Sequence, residues 1–193
     1  MSDMSEQTIE IFRTAGALLD GHFVYTSGRH GAQFLQAARV LQYPDRVETL
    51  CKAMADHGRD LNVDLVVGPA TGGILLAYET ARHLNCRGVF TERDEVEGMA
   101  LKRGFRLDAG TRVFVVEDIV TTGGSVHKTI AHLQRRGAEV VGVSVLIDRS
   151  AGAASFDCAY HPLATLEMKS WDSAECALCD AGKPVIEPDD III

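Results

Sequence analysis

VVEDIVTTGGS, residues 115–125, combines an apolar strand pattern with a turn rich in glycine and hydroxyl side chains. It has the pattern of a buried strand end, two adjacent carboxylates at Glu117 and Asp118, and a turn of hydroxyls and glycines that leads into a helix. Glycine lets the backbone approach an anion closely, and the free N–H groups at a helix start bind phosphate. The stretch therefore predicts a site for a terminal phosphate at the end of a strand.

The two carboxylates extend this prediction from a phosphate to a sugar phosphate. They precede the glycines by about one sugar length, where they can accept hydrogen bonds from vicinal ribose hydroxyls. A Walker-type loop needs a lysine after the glycines, and a dinucleotide fingerprint needs G-x-G-x-x-G. This sequence has neither arrangement, so it favours ribose 5-phosphate; a strand end facing water, followed by an ordinary turn, is the alternative.

Apolar runs and helical patterns alternate on both sides of this stretch. The predicted elements, in chain order, are a strand over 64–68, a helix over 73–84, strands over 87–91 and 112–120, a helix over 123–137 and a strand over 139–148. Such alternation predicts an α/β fold with an open, mainly parallel sheet flanked by helices. Ligands of such sheets bind outside the carboxyl ends of the strands.

The N-terminal part is less regular. Residues 6–19 have apolar side chains at helical spacing and predict a helix that Gly21 ends. Residues 22–43 are expected to be irregular or short-stranded, and Pro44 suits the first turn of a second helix.

Composition limits the classes of function. With 193 residues, 46% of them hydrophobic, the chain fits one domain with a small N-terminal hood over 1–43, a core over 44–150 and a C-terminal extension over 151–193. The formal net charge of -8 argues against general nucleic-acid binding, which depends on basic groups. The chain shows neither an apolar run of the ~20 residues that span a membrane nor a secretion signal, and its five cysteines fit a reducing compartment. We expect a soluble, cytoplasmic protein.

VVEDIVTTGGS resembles the signature with which type I phosphoribosyltransferases bind phosphoribosyl pyrophosphate (PRPP). From about residue 10 to 150 the chain is similar to the members that act on orotate, in the stretches TSGRHGAQFLQ, VVGPATGGILLA, FTER with LKRGF, and VLIDRS. The resemblance implies the type I phosphoribosyltransferase fold and transfer of ribose 5-phosphate from PRPP to orotate, giving orotidine 5'-phosphate and pyrophosphate in pyrimidine (UMP) biosynthesis. It also implies a homodimer, and Mg2+ bound through PRPP with few direct protein ligands.

The resemblance assigns residues to PRPP. Glu117 and Asp118 would hold and polarise the ribose, and the phosphate loop would consist of Ile119, Val120, Thr121, Thr122, Gly123, Gly124 and Ser125. A second glycine-containing turn, GPATGG at 68–73, follows a strand and forms another anion nest. In the family this turn binds pyrophosphate and often has a cis peptide bond, so the assigned residues are Ala70, Thr71, Gly72 and Gly73. A plain strand-to-helix turn is the alternative.

The stretch TERDEVEGMALKRGF, residues 91–105, corresponds to the loop that closes over the reaction centre in the family. Arg93 and Lys102 are the candidates for catalysis, with Arg103 as a third basic residue. The acidic residues of this stretch make it less basic than the loop common in the family. A solvated, charged hairpin is the alternative.

Three residues are candidates for contact with orotate: Thr121, Arg149 and Phe34. The planar fork of Arg149 can pair with a carboxylate or carbonyls, and the Phe34 ring can stack on the base. The alternatives are a salt bridge from Arg149 to Asp148 or a neighbouring residue, and a core position for Phe34. The segment TSGR at 26–29 has threonine where many members have lysine, which weakens any phosphate or base contact there.

The C-terminal part contains a C-x2-H and a C-x2-C pair whose spacing is compatible with a tetrahedral structural zinc site: Cys158 with His161, and Cys176 with Cys179. Plain reduced thiols are the alternative. Trp171 and the terminal Ile191–Ile193 are candidates for packing on a partner subunit, or simply for covering the core.

Two other functions use the same motif. A PRPP signature does not specify the acceptor, so a purine or another base could replace orotate. A regulatory PRPP sensor that binds nucleic acid would also keep the pocket, but the negative charge and the lack of a basic stripe disfavour it.

Overall fold

The computed structural model describes residues 3–25 and 27–188 of the chain. In chain order the elements are α1 (Asp3–Thr14), β1 (Leu18–Val24), β2 (His30–Leu35), α2 (Ala38–Leu41), α3 (Pro44–Gly58), β3 (Leu65–Pro69), α4 (Gly72–Leu84), β4 (Arg87–Asp94), β5 (Gly98–Leu101), β6 (Arg112–Val120), α5 (Gly124–Arg135), β7 (Glu139–Asp148), β8 (Ala159–Thr165), β9 (Ser170–Trp171) and α6 (Ala177–Asp180).

Six strands form the main sheet, in the order β5-β4-β3-β6-β7-β8. All neighbours in it are parallel except β4 and β5, which form an antiparallel hairpin. The predicted α/β fold with a mainly parallel sheet is therefore confirmed. Strands β6 and β7 have the predicted bounds, because a long, nearly continuous apolar run is typical of a strand buried on both faces.

The central strand β6 is buried on both faces. Val113 and Val115 pack in the apolar cluster under α5, whereas Phe114 and Val116 pack in the cluster shared with α3 and α4. This alternation follows from the two-residue period of a strand. Burial on both sides fixes β6 in place, and its carboxyl end consequently holds Glu117 at a defined position.

The order of strands reverses between β3 and β6. From β3 the chain passes through α4 to β4 on one side, whereas β6 pairs with the other side of β3. A ligand crevice forms at such a switch point because the loops leaving the two strands diverge. The loops here are 70–71 and 121–123, which contain the two predicted anion nests.

A second, three-stranded sheet forms the hood, in the order β1-β2-β9. The helix predicted over 6–19 is wrong at its C-terminal end, since α1 ends at Thr14 and β1 begins at Leu18. Gly16 has a left-handed φ of 63°, which stops the helix ahead of Gly21. The short strands expected within 22–43 are present.

The segment after residue 150 joins both sheets. Strand β8 completes the main sheet beside β7, and β9 pairs with β2 of the hood. Trp171 is half-buried in β9 opposite His30, and Ile191–Ile193 lie outside the described residues. In the described ranges, no helix combines the length and apolar character needed to cross a bilayer.

Candidate sugar-phosphate site

Glu117 and Asp118 lie at the carboxyl end of β6. Glu117 is only 8% exposed, and its Oε1 accepts a hydrogen bond of 3.0 Å from the backbone N–H of Asp118. Asp118 Oδ1 accepts one of 2.6 Å from the N–H of Ile119. Burial, together with the Asp118 charge, raises the pKa of Glu117 well above its usual range, and burial also raises the pKa of Asp118. Hydroxyl donors or a cation placed beside the pair would therefore stabilise its charged form.

The predicted phosphate loop encloses a cavity of about 200 Å³ beside Glu117. The loop residues in its wall are Ile119, Val120, Thr121, Thr122, Gly123, Gly124 and Ser125. Gly123 has a left-handed φ of 74°, which turns the chain into α5 and aims the first N–H groups of the helix at the cavity. Lys128 also lines the cavity, and the sequence analysis did not identify this residue. A lysine one turn after the start of α5 lies close to the phosphate loop, and this spacing could have identified Lys128 from the sequence.

The second nest lies against the carboxylate pair, at Asp118. A Cβ atom at Gly72 would be 2.1 Å from Oδ2 of Asp118, so only glycine allows this approach. The Ala70–Thr71 peptide bond is cis, as the resemblance implied. A cavity of about 510 Å³ is lined by Thr71, Gly72 and Asp118, together with residues of α2. Asp118 thus stands between the two nests.

Arg149 follows β7 at the same edge of the sheet. Its N–H donates to the Val120 carbonyl at 2.7 Å, and its guanidinium carbon lies 5.2 Å from the centre of the Tyr25 ring. Its Nε is buried without a hydrogen-bond partner in the described residues. Asp148 accepts instead from the N–H of Ser150 at 2.6 Å, so the alternative of an Arg149–Asp148 salt bridge is not observed. Arg149 retains an unused donor beside the phosphate loop.

Tyr25 is a residue that the sequence analysis missed. It lies in the hood just after β1, and its hydroxyl donates to the Gln33 carbonyl at 2.6 Å. Phe34, the candidate for stacking, packs its ring 5.6 Å from that of Phe23 within the hood. Tyr25, and not Phe34, is therefore the aromatic residue that contacts the Arg149 guanidinium. Thr26 lies outside the described residues.

The candidate closing loop is the ordered hairpin of β4 and β5. The Lys102 ammonium donates to the Arg93 carbonyl at 2.8 Å and lies 3.3 Å from an Asp94 oxygen. Arg103 forms a two-fold hydrogen bond of 2.7 Å with Glu92. In this structure the stretch has the charged-hairpin arrangement that was the alternative interpretation. Its basic groups are paired within the hairpin, except for the exposed Arg93 guanidinium, which makes no salt bridge with a described residue.

The predicted zinc ligands are divided between two places, so that ligand set is wrong. Cys158 directly precedes β8 and packs in the cluster under α5, and His161 on β8 stacks 4.7 Å from His57. The C-x2-C pair lies instead against the hood, with two histidines to which the sequence analysis gave no role. The observed group is Cys176, Cys179, His22 and His30. The physical reason is that β8 belongs to the main sheet, whereas the chain after β9 follows the hood.

The fold and this site match a known class of proteins. A family model described as "Phosphoribosyl transferase domain" matches residues 37–171, which contain both nests, the carboxylate pair and Arg149. The crystal structure of orotate phosphoribosyltransferase from Aeropyrum pernix superposes with a TM-score of 0.68 at 29% identity, over 81% of this chain and 92% of that one. The fold and site therefore define a phosphoribosyltransferase.

Similar sequences narrow the class. The orotate phosphoribosyltransferase of Caldicellulosiruptor bescii is 44% identical over 93% of this chain and 94% of its own length. That of Desulforamulus reducens is 45% identical over 95% of each chain. The chain belongs to the orotate phosphoribosyltransferase family.

The raised pKa of Glu117 predicts a stability that depends on pH. Above that pKa the folded protein has to bury the charge, and below the ordinary value of 4.5 the carboxyl is protonated in both folded and unfolded chains. We expect Glu117→Gln to raise the Tm of the ligand-free protein at pH 7.5, by about 2–4 °C for each kcal/mol of relieved repulsion. The gain should shrink as the pH falls toward 4.5.

Differential scanning fluorimetry across this pH range measures the effect. Glu167→Gln removes an exposed carboxylate and serves as the matched control, with a Tm close to that of the unchanged protein. A lower Tm of Glu117→Gln at pH 7.5 would show that the buried charge is already compensated.

Proposed function

We propose that this protein is an orotate phosphoribosyltransferase, which converts orotate and PRPP into orotidine 5'-phosphate and pyrophosphate in pyrimidine biosynthesis. The observation that carries the proposal is the contact of Gly72 with Asp118, which joins two anion nests around one pair of carboxylates. A phosphate at one end, a diol in the middle and a pyrophosphate at the other end are the parts of PRPP. The names of the similar proteins support orotate as the acceptor.

Each part of PRPP has a place in this site. The 5-phosphate occupies the cavity of the 119–125 loop, where the start of α5 and Lys128 offer positive charge. The ribose hydroxyls donate to Glu117 and Asp118. The pyrophosphate binds the N–H groups of residues 71–73, beside Asp118, since the Ala70 N–H already donates to the Thr91 carbonyl at 2.7 Å. The phosphate, ribose and pyrophosphate can bind in this sequence without a movement of the main sheet.

Mg2+ fits this site as the companion of PRPP. PRPP and water would supply most of its ligands, and the carboxylate oxygens of Glu117 and Asp118, which are of the kind this ion prefers, would hold the ribose hydroxyls beside it. When bound, the ion neutralises charge on the departing pyrophosphate. The ribose and pyrophosphate oxygens would complete its shell together with water.

The reaction replaces one bond at ribose C1 with another. A nitrogen of orotate forms the new bond as the bond to pyrophosphate breaks and the electron pair leaves with pyrophosphate. Positive charge develops on the sugar, and the buried carboxylates Glu117 and Asp118 stabilise it. Orotate ionises in solution, so no histidine has to remove a proton. The protein contributes position and electrostatics.

The first test is the acceptor. We expect purified protein with PRPP and Mg2+ to consume orotate and to leave adenine, guanine, hypoxanthine, xanthine and uracil unchanged. Asp118→Asn should lower kcat/KM about 100-fold or more, because it removes charge that is most valuable in the transition state. Loss of orotate absorbance measures the rate. Asp60→Asn, an exposed position, is the matched control.

The other outcomes of this assay distinguish the two alternative functions. Turnover with a purine alone would make the protein a purine phosphoribosyltransferase. PRPP binding without turnover of any base would favour a PRPP sensor and overturn the proposal.

The unused Nε donor of Arg149 supports a role for this residue in binding the base. Its planar fork pairs with the carboxylate or carbonyls of orotate, and its guanidinium lies over the Tyr25 ring. We expect Arg149→Lys to lower kcat/KM for orotate by about 10–100-fold, since a lysine loses the two-fold geometry. Steady-state kinetics with each substrate varied should leave KM for PRPP within about twofold. Arg136→Lys, an exposed arginine after α5, is the control; an equal loss for both substrates would contradict the role in base binding.

We also propose that the protein works in the cytoplasm, where its five unpaired cysteines stay reduced.

We propose further that it forms a homodimer. The support for a dimer is an apolar surface on α4, where Leu75 is 49% and Tyr78 is 69% exposed one turn apart. Together with Leu41 and Val47 they line a groove of about 490 Å³. Exposed apolar patches of this kind mark protein interfaces.

Light scattering after size-exclusion chromatography tests the dimer. We expect twice the molar mass of one chain, and the mass of a single chain for Tyr78→Glu, because a charge would be buried unpaired at the interface. Gln134→Glu, on the exposed face of α5, should remain a dimer. A dimeric Tyr78→Glu would move the interface away from α4.

A further inference from the structure

Two histidines and two cysteines meet where the hood contacts the C-terminal segment. His22 lies on β1, His30 on β2, and Cys176 and Cys179 lie at the start and within the short helix α6. One donor atom from each residue falls within 4.8 Å of all the others. None of the four takes part in the sugar-phosphate site.

The distances within this group are those of a tetrahedral metal site. The Cys176 and Cys179 sulfurs lie 3.6 and 3.7 Å from His22 Nε2, and the Cys179 sulfur lies 3.4 Å from His30 Nδ1. For zinc bonded to sulfur at about 2.3 Å and to nitrogen at about 2.0–2.1 Å, tetrahedral angles place N and S about 3.6 Å apart. The two nitrogens, 2.9 Å apart, are somewhat closer than the tetrahedral value of about 3.3 Å.

A hydrogen bond on the other side of the ring fixes the tautomer of neutral His22. Its Nδ1 lies 2.8 Å from the Lys183 carbonyl, which can only accept, so Nδ1 carries the hydrogen. Nε2 therefore presents a lone pair to the centre of the group. Histidine ligands of metals are held by this kind of contact to a backbone carbonyl.

Hydrogen bonds alone do not satisfy the group. The single lone pair of His22 Nε2 faces three potential donors, which are His30 Nδ1 and the two thiols. It can accept well from only one of them. A cation at the centre instead takes a lone pair from each of the four atoms.

A bulge in β1 aims His22 at this point. The pairing of β1 with β2 is regular at Asp20 with Gln33 and again at Phe23 with Gly31, so two residues of β1 oppose one residue of β2 between them. Such a bulge redirects a side chain that strict alternation would place elsewhere. Gly21, the other residue of the bulge, leaves room for Ile186 of the C-terminal segment.

We propose that His22, His30, Cys176 and Cys179 bind one structural Zn2+ ion. Binding releases the two thiol protons to solvent, and the two thiolates neutralise the ion. With four protein ligands the site is closed, which is the form of a structural rather than a catalytic zinc. The ion ties the C-terminal segment to the β1–β2 hairpin, alongside the Arg29–Asp172 ion pair of 2.8 Å.

Metal content tests the site directly. We expect about one zinc per chain, by plasma mass spectrometry, in full-length protein purified without chelators or a histidine tag. Cys179→Ser should lose the zinc; this residue is exposed, so its replacement leaves the core intact. Cys158→Ser is the matched control and should keep the zinc. Zinc lost from Cys158→Ser and kept by Cys179→Ser would overturn the proposed ligand set.

Two further measurements keep the test decisive if the protein is purified without metal. Added Co2+ should give the visible absorption of a tetrahedral site with thiolate charge transfer, and Cys179→Ser should lack it. Zn2+ should raise the Tm of the metal-free protein by about 5–10 °C. Wild-type protein that takes up neither ion would rule out the site, whatever its activity with orotate.

Discussion

The site depends on one electrostatic constraint, the burial of Glu117 next to Asp118 at the end of β6. Two carboxylates in a desolvated place repel each other, and the pKa of each is raised. The strand is buried on both faces, so it cannot move to relieve them. The surrounding loops frame the pair, since Gly72 lies against Asp118 and the 119–125 loop leads from it into the start of α5, where free N–H groups can bind an anion. The buried carboxylates lower the stability of the ligand-free protein, and a ligand that donates hydrogen bonds to them would restore it.

The part of the fold predicted from sequence is the part in which local pattern and burial agree. Strands β6 and β7 have long apolar runs, and their bounds were predicted correctly. The helix over 6–19 was extended too far, because Leu18 and Leu19 also fit helical spacing, and only the backbone of Gly16 shows where the helix ends. Strand β8 was missed because its residues are only partly apolar and it is recruited by pairing with β7.

The candidate site divides in the same way. The motifs at 68–73 and 117–125 could be read from the sequence because each one is a continuous strand, turn and helix start. Tyr25 could not be predicted, since its place beside Arg149 depends on how the hood folds over the core. The same holds for His22 and His30, which reach the C-x2-C pair across more than a hundred residues of chain through a bulge and the fold of the tail. Sequence spacing instead favoured the nearer pair, Cys158 and His161.

The acidic residues of the β4–β5 hairpin pair with its basic residues, and these ion pairs are exposed. Lys102 and Arg103 are both more than a third exposed, and exposed ion pairs of this kind contribute at most about 1 kcal/mol each. The pyrophosphate of PRPP concentrates more negative charge than either carboxylate partner, so exchange of partners costs little. Glu97 meanwhile holds the hairpin to α5 through Arg135 and His132. The acidic residues thus hold Lys102 and Arg103 within the hairpin in ion pairs weak enough to exchange for a stronger anion.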